Sequence, residues 1–178
     1  MSVDAVDLED GLRQIEADGA DLCHGRLLMM RTSGLILAQR CREQGPSTPS
    51  GPAIEGADGL IVGSPVYKGS YSGLFKHVID FLAPEALAGK PVAIAATGGG
   101  ARHALMVEHQ LRPLFGFFTA HVAPTAVYAG EAEIQDGVVT DPGVAARVVA
   151  AATELAHLLD TAEAARRART QPPTAAAL

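Results

Sequence analysis

Two short segments carry residue types suited to holding a flat ligand with a polar edge. The first contains a proline, an aromatic residue and a lysine, in the order Ser64, Pro65, Val66, Tyr67 and Lys68. The second is glycine-rich and consists of Thr97, Gly98, Gly99 and Gly100, with Arg102 two residues further on. Proline fixes the backbone direction, tyrosine supplies an aromatic wall with a polar tip, and glycine lets the backbone approach a ring closely. Together these features predict a slot for a planar ring, with amide donors along one edge.

A flavin isoalloxazine ring needs such a slot. The simpler interpretation is that both segments are ordinary turns between a strand and a helix, and a glycine-rich turn alone is weak evidence for a ligand. Each segment, however, directly follows an apolar run that is typical of a buried strand. In open parallel sheets, ligands bind where the carboxyl ends of the strands meet the following loops. The two segments are therefore placed where a ligand site belongs.

Strands and helices alternate around these segments. Continuous apolar runs predict buried strands over residues 59–63, 91–96 and 125–128. Apolar spacing predicts helices over residues 74–82, with Ser70 as N-cap, and over about 102–117. Asp141 and Pro142 open a long alanine-rich helix. This alternation predicts an α/β fold, a three-layer α/β/α sandwich built on a parallel sheet.

Length and composition narrow the protein class. The 178 residues predict a single domain over residues 1–165, with an atypical region over 1–56 and a flexible tail over 166–178. The net charge of −6 argues against a nucleic-acid partner. No apolar run is long enough for a membrane span and no signal peptide is recognisable, so we expect a cytoplasmic protein. Cys23 and Cys41 fit no zinc spacing, and no metal site is predicted.

The two segments and their surroundings, taken in register, resemble the NAD(P)H-dependent FMN reductases. The matching stretches, written as sequence, are Ser64-Pro65-Val66-Tyr67-Lys68, Thr97-Gly98-Gly99 and Leu111-Arg112-Pro113-Leu114. The similarity covers roughly residues 55–160. It is greatest to the branch that supplies reduced flavin to two-component monooxygenases of the alkanesulfonate type.

This resemblance implies a flavodoxin-like sheet, FMN as ligand and NAD(P)H as hydride donor, with a flavin-dependent monooxygenase as partner. It places Ser64, Pro65, Val66, Tyr67 and Lys68 along the ring, and Thr97, Gly98, Gly99 and Gly100 at its pyrimidine edge. Arg102 would approach the flavin or the pyridine nucleotide. No catalytic acid or base is expected, because hydride transfer needs the nicotinamide stacked on the flavin. The alternatives are a quinone or azo reductase with bound flavin, and a non-catalytic relative with a defective flavin site.

The helix over residues 102–117 contains Pro113, which cannot donate a hydrogen bond to the His109 carbonyl. A kink or bulge is therefore expected there. Some members of the resembling branch carry an inserted residue in this helix, which forms a π-bulge at a tetramer interface, and His109 falls at that place. The resemblance and the apolar content of the helix predict a homo-oligomer, a dimer or a tetramer. The alternative is a plain surface histidine on a kinked helix.

The first 56 residues depart from the family pattern. Residues 2–8 alternate like a strand, residues 22–42 suit a helix and residues 44–52 suit a loop. If residues 2–8 match the second strand of the family, the first strand and its phosphate loop are missing. Alternatively, residues 26–30 supply that strand and residues 31–34 a degenerate phosphate loop. We favour a truncated or altered region. Both interpretations predict weakened FMN binding, because the phosphate contributes much of the affinity.

Overall fold

The computed structural model describes residues 6–7, 27–30, 36–39, 51–135 and 138–170. The strands, in chain order, are β1 (Val6–Asp7), β2 (Leu27–Met30), β3 (Ile36–Gln39), β4 (Gly59–Pro65), β5 (Pro91–Gly98), β6 (His121–Val122), β7 (Val127–Gly130), β8 (Ile134–Gln135) and β9 (Val138–Val139). The main sheet has the order β3-β2-β4-β5-β6, and β7 continues alongside β5 after β6. All of its pairings are parallel except that between β2 and β3.

The helices are α1 (Gly51–Gly56), α2 (Gly73–Asp80), α3 (Arg112–Phe117) and α4 (Pro142–Thr170). Short 3₁₀ turns occupy Ala101–His103 and Glu131–Glu133, and a π-helical segment occupies Val107–Leu111. The third strand, predicted over residues 125–128, is observed two residues later as β7.

Alternate residues of β4 and β5 face two different layers. Leu60, Val62 and Ile94 pack against α1, α2 and the π-helical segment, through side chains that include Ile54, Phe75, Leu111 and Phe115. Ile61 and Ala93 face the other way and pack with Leu155, Leu158 and Leu159 of α4. Helices therefore cover both faces of the sheet. The predicted three-layer α/β/α arrangement is confirmed, and the fold is flavodoxin-like.

The prediction for the region before residue 51 is partly wrong. Residues 27–30 form a strand beside β4, with Leu28 paired to Leu60 and Met30 to Val62. The predicted helix over residues 22–42 is wrong. The interpretation in which the family's first strand is missing is also wrong, because β2 occupies the place beside β4. The alternative strand at residues 26–30 is confirmed. Alternating apolar and polar residues at 2–8 did indicate a strand, but β1 pairs with β9 in a separate small sheet.

Among the described strands of the main sheet, β3 is the one that pairs antiparallel. A parallel pair needs a long crossover, whereas β3 follows β2 after only a short connection. The proposed phosphate loop at residues 31–34 lies outside the described residues, as do residues 44–50 of the predicted loop.

The helix predicted over residues 102–117 is not a continuous α-helix. Within the π-helical segment the backbone widens, so that the Arg112 N–H donates to the Val107 carbonyl five residues back. Pro113 follows immediately and leaves the His109 carbonyl without the bond an α-helix would give it. The predicted bulge is confirmed, and it begins at Val107, before the proline.

The long helix α4 starts as predicted, since the Val144 N–H donates to the Asp141 carboxylate at 2.9 Å and Pro142 is the first helical residue. The first five residues of the predicted tail, 166–170, are helical. The helix continues to Thr170, and the Arg166 guanidinium donates to Asp58 at 2.7 Å. Residues 171–178 lie outside the described part. Within that part, no helix combines the length and apolar character needed to cross a membrane.

Candidate functional site

The two segments singled out by sequence lie side by side at the carboxyl edge of the sheet. Their strands β4 and β5 are parallel neighbours, with Pro65 paired to Thr97. Just beyond this pair, the Val66 N–H donates to the Thr97 carbonyl at 2.7 Å. We call residues 64–72 the serine loop and residues 97–100 the glycine turn. The structure therefore brings Ser64, Pro65, Val66, Tyr67, Lys68, Thr97, Gly98, Gly99 and Gly100 into one region.

The serine loop is held by its own side chains. Ser64 is only 2% exposed, and its hydroxyl accepts a bond from the Ser72 N–H and donates to the Pro65 carbonyl, both at 3.0 Å. Ser72 in turn accepts a bond from the Phe75 N–H at 3.2 Å and caps α2. The prediction of Ser70 as N-cap was wrong because the hydroxyl two residues later meets the free amides of the first turn.

A tight turn lies at the tip of the serine loop. Tyr67 and Ser70 exchange two backbone hydrogen bonds, of 2.8 and 3.1 Å. Between them Lys68 and Gly69 both have positive φ, 52° and 83°, which is typical of a type I′ turn. Tyr67 is 58% exposed at the base of this turn, and Lys68 is exposed at its tip. Both side chains are accessible from solvent.

The three glycines of the turn differ in their surroundings. A Cβ built on Gly98 would lie 2.6 Å from the Tyr128 hydroxyl and 3.3 Å from the Val66 Cβ. At Gly99 the nearest atom would be a Glu131 carboxylate oxygen at 3.9 Å, and at Gly100 nothing lies within 4 Å. Gly98 is therefore enclosed by protein, whereas Gly99 and Gly100 border open space. A side chain at either of these two positions would extend into that space.

Two residues that sequence reasoning missed meet the glycine turn from β7. The Tyr128 hydroxyl donates to the Gly100 carbonyl at 2.7 Å. Glu131 follows at the end of the same strand, and the neighbouring Glu133 carboxylate accepts a bond from the Gly130 N–H at 2.7 Å. The sequence did offer one signal, which was the position of these residues. Tyr128 ends the third predicted strand and Glu131 follows it, so both reach the same edge of the sheet.

Arg102 lies in the 3₁₀ turn that continues from Gly100, where the His103 N–H donates to the Gly100 carbonyl at 3.2 Å. Its side chain is exposed next to the glycine turn. The structure thus places Arg102 at the border of the site, and a role in binding stays a prediction. His109 is exposed on the π-helical segment.

The π-helical segment is tied to the serine loop and, through Arg112 beside it, to the connection before β7. The Ser70 hydroxyl donates to the Gln110 side-chain oxygen at 3.3 Å. Glu108 and Arg112 form an ion pair, with a further bond of 2.9 Å, and the hydrogen bond from Arg112 lowers the pKa of Glu108. Arg112 also donates to the carbonyls of Ala123 and Pro124, both at 3.0 Å. This guanidinium therefore anchors the connection that leads into β7.

No cluster of metal-ligating side chains exists in the described part of the chain. Cys23 and Cys41 fall outside it. The arrangement can thus offer a planar ligand backbone groups and one exposed aromatic side chain.

Comparisons with known proteins agree with this geometry. Residues 8–133 match the family described as NADPH-dependent FMN reductase. An NADH-dependent FMN reductase, SfnF, of Pseudomonas fluorescens is 52% identical over 109 residues, which cover 61% of this chain and 58% of the relative. An NADPH-type FMN reductase of Pseudomonas aeruginosa is 50% identical over 105 residues, covering 59% and 56%.

Among solved structures, an oxidoreductase from Corynebacterium diphtheriae superposes with a TM-score of 0.56 at 42% identity, covering 62% of this chain and 60% of that one. The matches thus span about three fifths of the length of these relatives. The family match covers well over half of this chain and includes both loops of the site. The chain belongs to the NADPH-dependent FMN reductase family.

Proposed function

We propose that this protein reduces FMN with electrons from NADH or NADPH and supplies the reduced flavin to a partner monooxygenase. The observation that carries this proposal is the open space over Gly99 and Gly100, at the same edge of the sheet as the exposed side chain of Tyr67. Family membership supports the choice of FMN as the planar ligand. The resemblance to the branch that serves two-component monooxygenases supports the choice of partner.

The residues of the site would divide the work of binding. Residues 66–68 and 98–100 would line the ring, with backbone amides toward its polar edge and Tyr67 as an aromatic wall. Bound FMN supplies the redox chemistry, since it accepts a hydride from the nicotinamide. The chain itself has to position the ring and leave one face free, for which the exposed turn at Gly99 is suited.

Two exposed cations flank the proposed slot. Lys68 stands on the tip of the serine loop, and Arg102 follows the glycine turn. We propose that both side chains attract the phosphates of FMN and of the pyridine nucleotide. Because such contacts are solvent-exposed, their effect on the association rate should weaken as salt increases.

Steady-state oxidation of NADH and NADPH, measured with and without added FMN, tests the proposed function. We expect oxidation to depend on added FMN, since the flavin is treated as a loosely held substrate. Turnover of quinones or azo dyes with flavin retained through purification would instead indicate the alternative reductase. Absence of both flavin binding and oxidation would indicate the non-catalytic relative.

Riboflavin in place of FMN tests the weakened phosphate site expected from sequence. If the ring contacts carry binding, the two flavins should differ by less than about tenfold in Kd, or 1.4 kcal/mol. A preference for FMN of about a hundredfold or more would contradict a degenerate phosphate loop. The strand β2 ends at the same edge as the serine loop, so either result is compatible with the fold.

We also propose a homo-oligomer, a dimer or a tetramer, in the cytoplasm. Part of the apolar content of the helical region over residues 102–117 lies in the chain's own core, where Leu111 and Phe115 are buried. Large apolar side chains nevertheless remain exposed on α2, the π-helical region and α3: Leu74 and Phe81, then Leu105 and Phe117. Exposed apolar groups concentrated on neighbouring elements favour self-association. Light scattering at micromolar concentration should give a mass above that of one chain, and a monomer would overturn this.

A further inference from the structure

We propose that Tyr128 is a positioning residue for the flavin slot, which holds the glycine turn in shape from beneath and restricts position 98 to glycine. The inference rests on the proposed function and adds to it a residue outside both loops. No Tyr128 atom lies within 4 Å of a Cβ built on Gly99 or Gly100. Tyr128 acts through the backbone of the turn.

The strand register explains how Tyr128 reaches the turn. In β5 and β7, Ala96 is paired with Tyr128 and Gly98 with Gly130. Side chains two residues apart point to the same face of a sheet, so a side chain at position 98 would share the face of Ala96 and Tyr128. Ala96 and Tyr128 both pack with the core beneath α2 and the π-helical segment. From this layer the phenol extends upward past Gly98 to the Gly100 carbonyl.

The hydroxyl contact fixes the direction of the turn. The Gly100 carbonyl accepts bonds from the Tyr128 hydroxyl at 2.7 Å and from the His103 N–H at 3.2 Å. Because each peptide unit is planar, fixing this carbonyl fixes the plane shared with the following amide. Glycines have no side chains with which to hold a conformation, and their backbone freedom is large. The hydroxyl therefore supplies a restraint that the turn lacks.

The same contact explains the glycine at position 98. The Cβ of an alanine there would lie 2.6 Å from the Tyr128 oxygen and 3.3 Å from the Val66 Cβ. Val66 is itself bonded to Thr97 and cannot move freely. Alanine at 98 would therefore displace the phenol or the serine loop. Removing the hydroxyl should relieve the shorter of the two contacts.

The experiment measures FMN Kd by fluorescence quenching, together with KM and kcat, for wild type, Tyr128→Phe, Gly98→Ala and the double variant. We expect Tyr128→Phe to raise Kd and KM about three- to tenfold, with a smaller change in kcat. Gly98→Ala should weaken binding roughly tenfold or more. The double variant should bind FMN more tightly than Gly98→Ala alone, because the close contact is gone. Such rescue is not expected of a generally destabilised protein.

Two control variants match the chemistry of these changes. Thr161→Val removes another hydroxyl-to-carbonyl bond, that of 2.8 Å to His157 on the exposed side of α4. Gly116→Ala adds a Cβ where nothing lies within 4 Å. Both should bind FMN like wild type.

The outcomes separate the inference from the function on which it rests. Wild-type affinity and KM in Tyr128→Phe would overturn the role of Tyr128, while FMN reduction by the wild type would stand. The role of Tyr128 would likewise be overturned if Gly98→Ala weakened FMN binding equally in the wild type and in the Tyr128→Phe variant. A wild-type protein that neither binds nor reduces FMN would overturn the proposed function and the inference together.

Discussion

The two loops of the candidate site are built in opposite ways. The serine loop is self-supporting: Ser64 bonds to Ser72, Ser72 caps α2, and Tyr67 and Ser70 close the tip. The glycine turn has no side chains of its own beyond Thr97 and is held from outside. Its carbonyl at Gly100 is bound by Tyr128, a residue 28 positions later in the chain.

This difference shows where the determinants of a ligand site are found. A polar loop carries its own hydrogen-bonding groups, so its sequence describes both the loop and its support. A glycine turn lets a ligand approach closely, but it has no side chains that could hold its backbone conformation. Its shape then depends on residues that are distant in sequence and adjacent in the sheet.

Closing the open side of the glycine turn should have the largest effect. Gly99→Val places a branched side chain in the proposed ring space, and we expect FMN affinity to fall by about a hundredfold. The fold should persist, because the nearest atom to a Cβ at this position is 3.9 Å away. FMN titration and thermal unfolding measure the two effects, with Gly116→Val as a matched glycine replacement. Unchanged affinity in Gly99→Val would show that the flavin binds elsewhere.

Removing the internal support of the serine loop should have an intermediate effect. Ser64→Ala leaves the partly buried Ser72 N–H without its acceptor, which should lower the free energy of unfolding by about 1–3 kcal/mol. Ser70→Ala removes a longer, exposed bond to Gln110 and should cost less than about 0.5 kcal/mol. Urea unfolding of both variants compares them directly. Equal stability losses would contradict a loop organised around Ser64.

Breaking the ion pair that anchors the approach to β7 should have a small effect. Glu108→Gln should lower the free energy of unfolding by less than about 1 kcal/mol at pH 7, since both partners are partly exposed. The bond from Arg112 lowers the pKa of Glu108 below its ordinary value of 4.5. The stabilisation is therefore complete above that value and is lost as the pH falls through the lowered pKa. A Glu108→Gln difference from wild type that does not shrink as the pH is lowered from 7 into the acid range would contradict this account.

Much of the fold could be predicted from local patterns. Continuous apolar runs located β4 and β5, and the Asp141-Pro142 pair located the start of α4, because burial and capping act on neighbouring residues. The bulge near Pro113 was predictable since a missing N–H has a fixed consequence. The strands β2 and β3 were mistaken for one helix. Short apolar runs such as Leu27–Met30 carry no periodicity that separates a strand from a helix.

In the candidate site, too, features that depend on neighbouring residues were predictable, whereas features that depend on strand pairing were not. Residue types and spacing predicted the serine loop and the glycine turn, and the parallel register of β4 and β5 brings them together. Tyr128 and Glu131 escaped prediction because their contacts depend on the pairing of β5 with β7. The capping role of Ser72 escaped because two serines compete for it within three positions.

The central claim is that the serine loop and the glycine turn form one flavin slot. A crystal structure of the protein with FMN tests it most directly. We predict that the isoalloxazine ring lies against Tyr67 and over Gly99 and Gly100, with Tyr128 still bonded to the Gly100 carbonyl. A ring bound at another part of the sheet, or against neither loop, would contradict the account.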